Sequence, residues 1–287
     1  MNEQTAVGVS AGKRKKWSIR KKAVLMIVLA ALLLTGMLAA GWLISPDKLA
    51  VNLAARNGQP SLGHLFGTDW MGRDMLARTF KGLTLSFGVG VLASLVSVII
   101  ALLLSLLASV HQVFDTVVTW LIDLFLSLPH IVILILISFA LGGGFKGVIV
   151  GLALTHWPAL TRLLRAEVLP VLNTDYVAIS RRLGRSRFWI ARQHLLPHLT
   201  SQLLIGFVLL FPHVILHEAA ITFLGFGLPA DVPAIGVILS ESMRYLSTGM
   251  WWLAFFPGLM LLLMVGTFDM LGRHVRKLAD PFHSQNG

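Results

Sequence analysis

Two histidines and a glutamate stand close together in the run PHVILHEAA at residues 212–220: His213, His217 and Glu218. On a helix, His213 and His217 share a face because they are four residues apart, and Glu218 falls on a neighbouring one. Such a group could line a pore, hydrogen-bond between helices, or contact a passing solute; a fourth reading gives it no role beyond structure. Two imidazoles do not make a metal site, and HEAA lacks the second histidine of a His-Glu-x-x-His zinc helix. No metal and no cofactor is therefore expected. The chain contains no cysteine, which excludes disulfides, Cys-based zinc sites and thiol nucleophiles. No Gly-x-Ser-x-Gly appears, nor a Gly-x-x-x-x-Gly-Lys-Ser/Thr phosphate loop. LGGGFKG at 141–147 lacks the spacing of such a loop and reads as a flexible turn. The chemistry on offer is recognition rather than bond-making, and the chain is not expected to be an enzyme.

The elements that must position these residues are apolar. Of 287 residues, 56% are hydrophobic and only 13% charged, against about 25% charged in ordinary soluble domains. Six runs are long enough to cross a bilayer, which takes roughly 20 apolar residues. They are Ala23–Ile44, Leu83–Ala108, Val117–Leu141, Gly147–Leu164, Leu203–Leu224 and Met250–Leu271. Each must be helical, because backbone polar groups find no water in lipid. The expected architecture is all-α and polytopic. It comprises a basic tail (1–22), a first span (23–44), an external loop (45–82), a five-helix core (83–272) with a cytoplasmic loop at 166–200, and a second tail (273–287). The first run follows KRKKWSIRKK. A cleaved leader is the alternative, but its apolar core exceeds the usual 7–15 residues.

The net charge of +11 could suggest nucleic acid. The basic residues sit at the ends of apolar runs instead, so a lipid membrane and no nucleic acid is expected. With six spans, 17 Lys and Arg fall on the side of the two tails and the loop between spans four and five, and seven on the other side. The positive-inside rule places both termini and that loop in the cytoplasm.

That loop carries a second constellation. In TDYVAISRRLG at 174–184, Thr174 suits an N-cap and Asp175 the first turn. Tyr176, Ile179 and Leu183 form one apolar stripe, and Gly184 stands where a helix ends through a left-handed residue. A second amphipathic piece holding Phe188 runs to Pro197, where a break is expected before span five. The stripe could lie on lipid, pack under its own bundle, or dock into a partner. Asp115 and Asp123, at the same side of span three, suit solvation or pairing with Arg162 or Arg165. In the first external loop, GTDWMGRD has two acids and an arginine that could fix it by internal hydrogen bonds.

These motifs carry a resemblance. Gly184 followed by RSRFWIARQHLLP resembles the cytoplasmic loop of bacterial ABC importer permeases, although Ala178, Ile179 and Ser180 replace its opening Glu-Ala-Ala. HLFGTDWMGRDMLAR at 64–78, ILHEAAITFLGFGLP at 215–229 and LGRHVRKLADP at 271–281 are similar to three motifs of the dipeptide, oligopeptide and nickel permeases, in the same order. Glu218 matches a glutamate common in the peptide permeases, and His156 and His213 resemble histidine positions of nickel permeases. The chain is identified as similar to the C-type permease subunit of that class, with a type I ABC importer permease fold in the bacterial inner membrane.

The resemblance implies that the loop is a coupling helix, with Tyr176, Ile179, Leu183, Gly184 and Phe188 contacting an ATPase. It implies as partners a homologous B-type permease, two ATP-binding subunits and an extracytoplasmic solute-binding protein. The cargo would be small peptides, nickel, or a metal bound to an amino-acid-derived chelator, with His213, His217 and Glu218 on its path. In such permeases the segment GLPADVPAIG after span five helps close the outer gate. Two rivals stand beside this reading: a self-contained channel or secondary transporter, and an intramembrane enzyme. Co-purification of an ATPase separates them.

Overall fold

The computed structural model describes residues 19–279; most of the basic tail and the end of the LGRHVRKLADP motif lie outside them. Helix α1 (Ile19–Leu43) is followed by a loop with two short 3-10 turns. Then come α2 (Met75–Val110), α3 (Gln112–Ser127), α4 (His130–Ala140) and α5 (Gly144–Leu172). Two short helices, α6 (Asp175–Arg182) and α7 (Arg187–Ile190), precede α8 (Leu196–Phe223). Helices α9 (Ile235–Leu246) and α10 (Trp252–Ala279) end the described chain. Among the described residues no β-strand forms, only an isolated bridge between Thr68 and Asp74.

Five helices are long and apolar enough to cross a membrane, and the count is six when the bent pair α3–α4 is taken as one broken span. The third span is therefore not the continuous helix expected over 117–141. It breaks at Leu128–Pro129, and its halves meet at 100°. Leu128 is extended, at φ −96° and ψ 148°, the conformation that a following proline favours. The break expected at Pro197 does not occur. A π-helical turn at Ala191–Leu195 carries α7 into α8, and the wider turn tolerates the missing proline N–H near the start of α8.

Helices α2, α5 and α8 form the centre, and small residues set their spacing. Ser97 and Ser105 of α2 are fully buried and donate to the α5 carbonyls of Ala153 (3.1 Å) and Thr161 (3.4 Å). Each hydroxyl meets a backbone acceptor where lipid offers none. On the other flank of α5, a Cβ on Gly147 would stand 2.6 Å from the Ser138 carbonyl oxygen of α4, so the two helices touch along a small-residue seam. Apolar packing completes the bundle. Leu134, Leu152, Val214 and Ile221 join α4, α5 and α8; Phe211, Met264 and Leu83 join α8, α10 and α2. The outward face of α1, with Val28, Leu29 and Leu32, stays exposed, as a lipid-facing surface does.

The GTDWMGRD loop is fixed from within, as its acids and arginine suggest. Both oxygens of buried Asp69 are occupied. Oδ1 accepts the N–H groups of Met71 and Arg73 (both 2.9 Å), and Oδ2 accepts Arg73 Nε (2.7 Å) and an Arg78 guanidinium nitrogen (2.8 Å). Gly72 has φ +74°, and a Cβ there would lie 1.7 Å from the Asn52 carbonyl oxygen. Only glycine fits that turn.

Candidate functional site

Two places collect the residues singled out above, at different depths of the bundle. The first is the α6–α7 elbow. Helix α6 ends in two bonds, Arg185 N–H to the Ser180 carbonyl (3.1 Å) and Gly184 N–H to the Arg181 carbonyl (3.0 Å). With Gly184 at φ +76°, this is a Schellman stop. Thr174 stands at the N-cap position, but its hydroxyl donates back to the Val171 carbonyl (2.6 Å) rather than capping α6. Ser186 does cap α7, accepting the Trp189 N–H at 3.1 Å.

Polar contacts brace the elbow, and one of them ties it to α2 of the bundle. Ser180 Oγ meets His194 Nε2 at 3.0 Å, and Arg187 donates to the Val110 carbonyl at the end of α2 (2.7 Å). Arg185 lies 4.9 Å over the Trp189 ring. Val177 is buried against the bundle, whereas Tyr176, Ile179, Leu183 and Phe188 are 47%, 56%, 74% and 72% exposed. The stripe thus stands off its own bundle, which removes one of the three readings open to the sequence. Nearby, Arg162 pairs with Asp123 (2.7 Å) and Arg165 with Asp115, tying α3 to α5 at this end.

The second place lies within the spans. His213 and His217 do share a face of α8, but they are not equivalent. His213 is exposed and His217 half-buried. His217 sits against two histidines from other helices, His156 of α5 and His130 of α4. Ring centroids lie 4.4 Å apart for His130–His156 and His130–His217, and 5.2 Å for His156–His217. Each ring offers a nitrogen within 4.8 Å of the others. Glu218 is fully buried and accepts the Thr222 hydroxyl (3.0 Å), while the Leu228 N–H donates to that hydroxyl (3.1 Å). It braces the end of α8 against the turn that follows. Sequence reasoning passed over His130. Its signal was the SLPH break, which stops α3 and starts a new helix on that residue.

At the opposite end from the elbow, a cavity of about 1050 Å³ is lined by Trp70, Phe139, the Gly142–Gly144 turn, the 225–230 turn, and Glu241 and Arg244 of α9. Residues of GLPADVPAIG contribute to its wall. Helix α9 is about 18 Å long, too short to cross a membrane.

Residues 93–279 match the family of binding-protein-dependent transport system inner membrane components. The dipeptide transport system permease protein DppC of Bacillus subtilis is 32% identical over 247 residues, 85% of this chain and 77% of that one. The di/tripeptide transport system permease protein DppC of Pseudomonas aeruginosa is 34% identical over 218 residues, covering 76% and 72%. Among solved structures, the inward-facing MetNI methionine ABC transporter superposes with a TM-score of 0.57 at 20% identity, over 71% of this chain and 97% of that one. That likeness establishes the fold. The exposed elbow, the membrane-length helices and these relatives agree: the chain belongs to the binding-protein-dependent inner membrane components, as a peptide-type ABC importer permease.

Proposed function

We propose that this chain is one of two membrane-spanning subunits of an ATP-driven importer whose cargo is a small peptide or a peptide-like metal chelate. ATP hydrolysis belongs to a separate pair of subunits, and an extracytoplasmic binding protein delivers the cargo. A homologous B-type permease completes the pore. Both termini and the α6–α7 elbow face the cytoplasm, in keeping with the excess of Lys and Arg on that side.

The single observation that carries this reading is the exposed stripe of Tyr176, Ile179, Leu183 and Phe188 on a rigidly capped elbow. A stripe laid on lipid needs no such bracing. A stripe that transmits force does, because ATP-driven closure of a docked subunit must move α5 and α8 through it. Burying one of these side chains in a partner groove stabilises the complex by roughly 1.5–3 kcal/mol. The relatives' names support peptide-class cargo; the histidine cluster supports a cargo that carries metal.

The test is pull-down of the ATP-binding subunit by the solubilised permease carrying Ile179→Asp and Leu183→Asp. We expect the ATPase to be lost while the spans still insert, since both positions lie outside the apolar runs. Normal pull-down with normal uptake overturns the docking role. Transport by the chain alone, reconstituted without any ATPase, overturns the importer reading itself.

A further inference from the structure

Three helices each spend a polar ring on one spot within the spans, and packing alone does not ask for it. Leucines would fill the volume around His130, His156 and His217 without leaving nitrogens in an apolar interior, where an unpartnered polar group is costly. His130 Nδ1 is buried with no hydrogen-bond partner. The one nitrogen–nitrogen approach, His156 Nε2 to His217 Nδ1, is long at 3.4 Å. As a hydrogen-bonded network the cluster is poor.

As a ligand set it is well prepared. His156 Nδ1 lies 2.8 Å from the Leu152 carbonyl oxygen, and His217 Nδ1 lies 2.8 Å from that of His213. Carbonyls only accept, so Nδ1 carries the proton in both rings. A neutral imidazole has one N–H, which leaves a lone pair on each Nε2. Metal-binding histidines are held in this way, with the second nitrogen donating to a backbone carbonyl that fixes tautomer and ring orientation. His156 presents its Nε2 to the cluster, whereas the His217 nitrogen facing it at 3.4 Å is Nδ1, so the His217 ring must turn to ligate through Nε2.

We propose that His130, His156 and His217 form a three-nitrogen site for a borderline divalent transition metal of the Ni²⁺, Co²⁺ or Zn²⁺ class. Imidazole donors suit these ions, whereas Mg²⁺ and Ca²⁺ take oxygen. Metal–nitrogen bonds of about 2.0–2.1 Å at tetrahedral angles place the nitrogens about 3.3 Å apart. The present spread of up to 4.8 Å is therefore that of an open site. Closing it takes ring rotations and a small shift of α4, which the break at Leu128–Pro129 releases from α3.

Three ligands leave at least one coordination position for water or for a donor of a chelator. No carboxylate belongs to the cluster, so a bare ion would keep its full double charge in an apolar setting. Carboxylates of a small chelator would offset that charge. The coordination chemistry stands on the cluster alone; the metal's role as cargo rests on the importer reading above.

The experiment uses the assembled transporter, purified with a tag free of histidine and titrated with Co²⁺ under visible spectroscopy. One arm supplies Co²⁺ alone and the other a one-to-one complex of Co²⁺ with citrate, whose oxygen donors contribute no nitrogen ligand field of their own. We expect ligand-field bands of nitrogen-bound Co²⁺ at one equivalent, with apparent affinity reduced at least about tenfold in His156→Gln and in His217→Gln. His198→Gln, on α8 outside the cluster, should leave the bands intact. Tighter binding in the citrate arm identifies a chelate as the favoured ligand; tighter binding of Co²⁺ alone identifies the bare ion.

Because the chain has no cysteine, His130→Cys adds the one thiolate of this subunit, read against the unsubstituted assembly. It should bring a sulfur-to-metal charge-transfer band that is lost when His156→Gln and His217→Gln are added. Absence of ligand-field bands in both arms, bands that persist in the His156→Gln, His217→Gln double variant, or no charge-transfer band in His130→Cys each overturn the site. The ATPase in the same preparation reports on the importer reading separately. Bands without a bound ATPase sink that reading and spare the site, and the converse sinks only the site.

Discussion

Arg78, at the start of α2, donates to Glu241 of α9 at 2.8 Å, across 163 residues of sequence. Its other terminal nitrogen holds Asp69 at 2.8 Å, and its side chain is 5% exposed. One buried cation thus ties the first loop to the short helix beside the cavity at that end of the bundle. Removing one carboxylate leaves the charge under-compensated, which in buried pairs costs roughly 3–5 kcal/mol. Asp69→Ala should therefore lower the melting temperature of the detergent-solubilised protein clearly. Glu241→Ala, on the partner that is 24% exposed, should lower it less. Equal and negligible shifts would show that the triad is not a structural tie.

Gly184→Ala should weaken coupling without blocking assembly of the spans. A left-handed conformation costs a residue with a Cβ roughly 1–2 kcal/mol. No heavy atom lies within 4 Å of the Cβ that would be added, so the cost is conformational and not steric. ATP-driven uptake should fall several-fold, and Gly184→Asn, which tolerates that conformation better, should recover part of it. Similar uptake by the two variants would discount the cap.

Reporter fusions should place residues 60 and 145 outside and residue 185 inside. The unequal distribution of 17 and seven basic residues predicts this orientation. A cytoplasmic signal at residue 60 would invert the whole assignment.

Gly147→Val should loosen α4 from α5. The new side chain enters a seam already 2.6 Å from the Ser138 carbonyl oxygen, and such overpacking typically costs about 1–3 kcal/mol. The variant should melt earlier and lose affinity for Co²⁺, since His130 rides on α4. A lower melting temperature with unchanged Co²⁺ affinity would separate α4 placement from the cluster.

The parts legible in the sequence were those governed by neighbours. Apolar runs marked the spans, Gly184 marked the end of α6, and the acids of GTDWMGRD found partners within a few residues. Pairing of Asp115 and Asp123 with Arg162 or Arg165 was one reading beside solvation, because charges at the same end of adjacent spans have few other choices; which acid takes which arginine came only with the packing. What was not legible depends on how helices pack. His130 gains its meaning only when the turn at Pro129 swings it beside His156 and His217. Glu241 gains its own only when α9 folds back onto α2. Pro197 misled because a π-turn can absorb the missing donor, which no local rule reveals.

The elbow in span three also constrains what surrounds it. Helix α3 ends at Ser127, so the carbonyls of its last turn have no helical partners. Ser127 Oγ donates back to that of Leu124 at 2.8 Å. Ser127, Leu128 and Pro129 are exposed in the isolated chain. Lipid tails cannot solvate such backbone, and irregular backbone at membrane depth persists only against protein or water. This strip of the molecule is therefore unfit to be an outer wall. Within a membrane it would need a hydrated lumen or a second chain against it, and the lone subunit would then be one side of a vessel rather than the vessel.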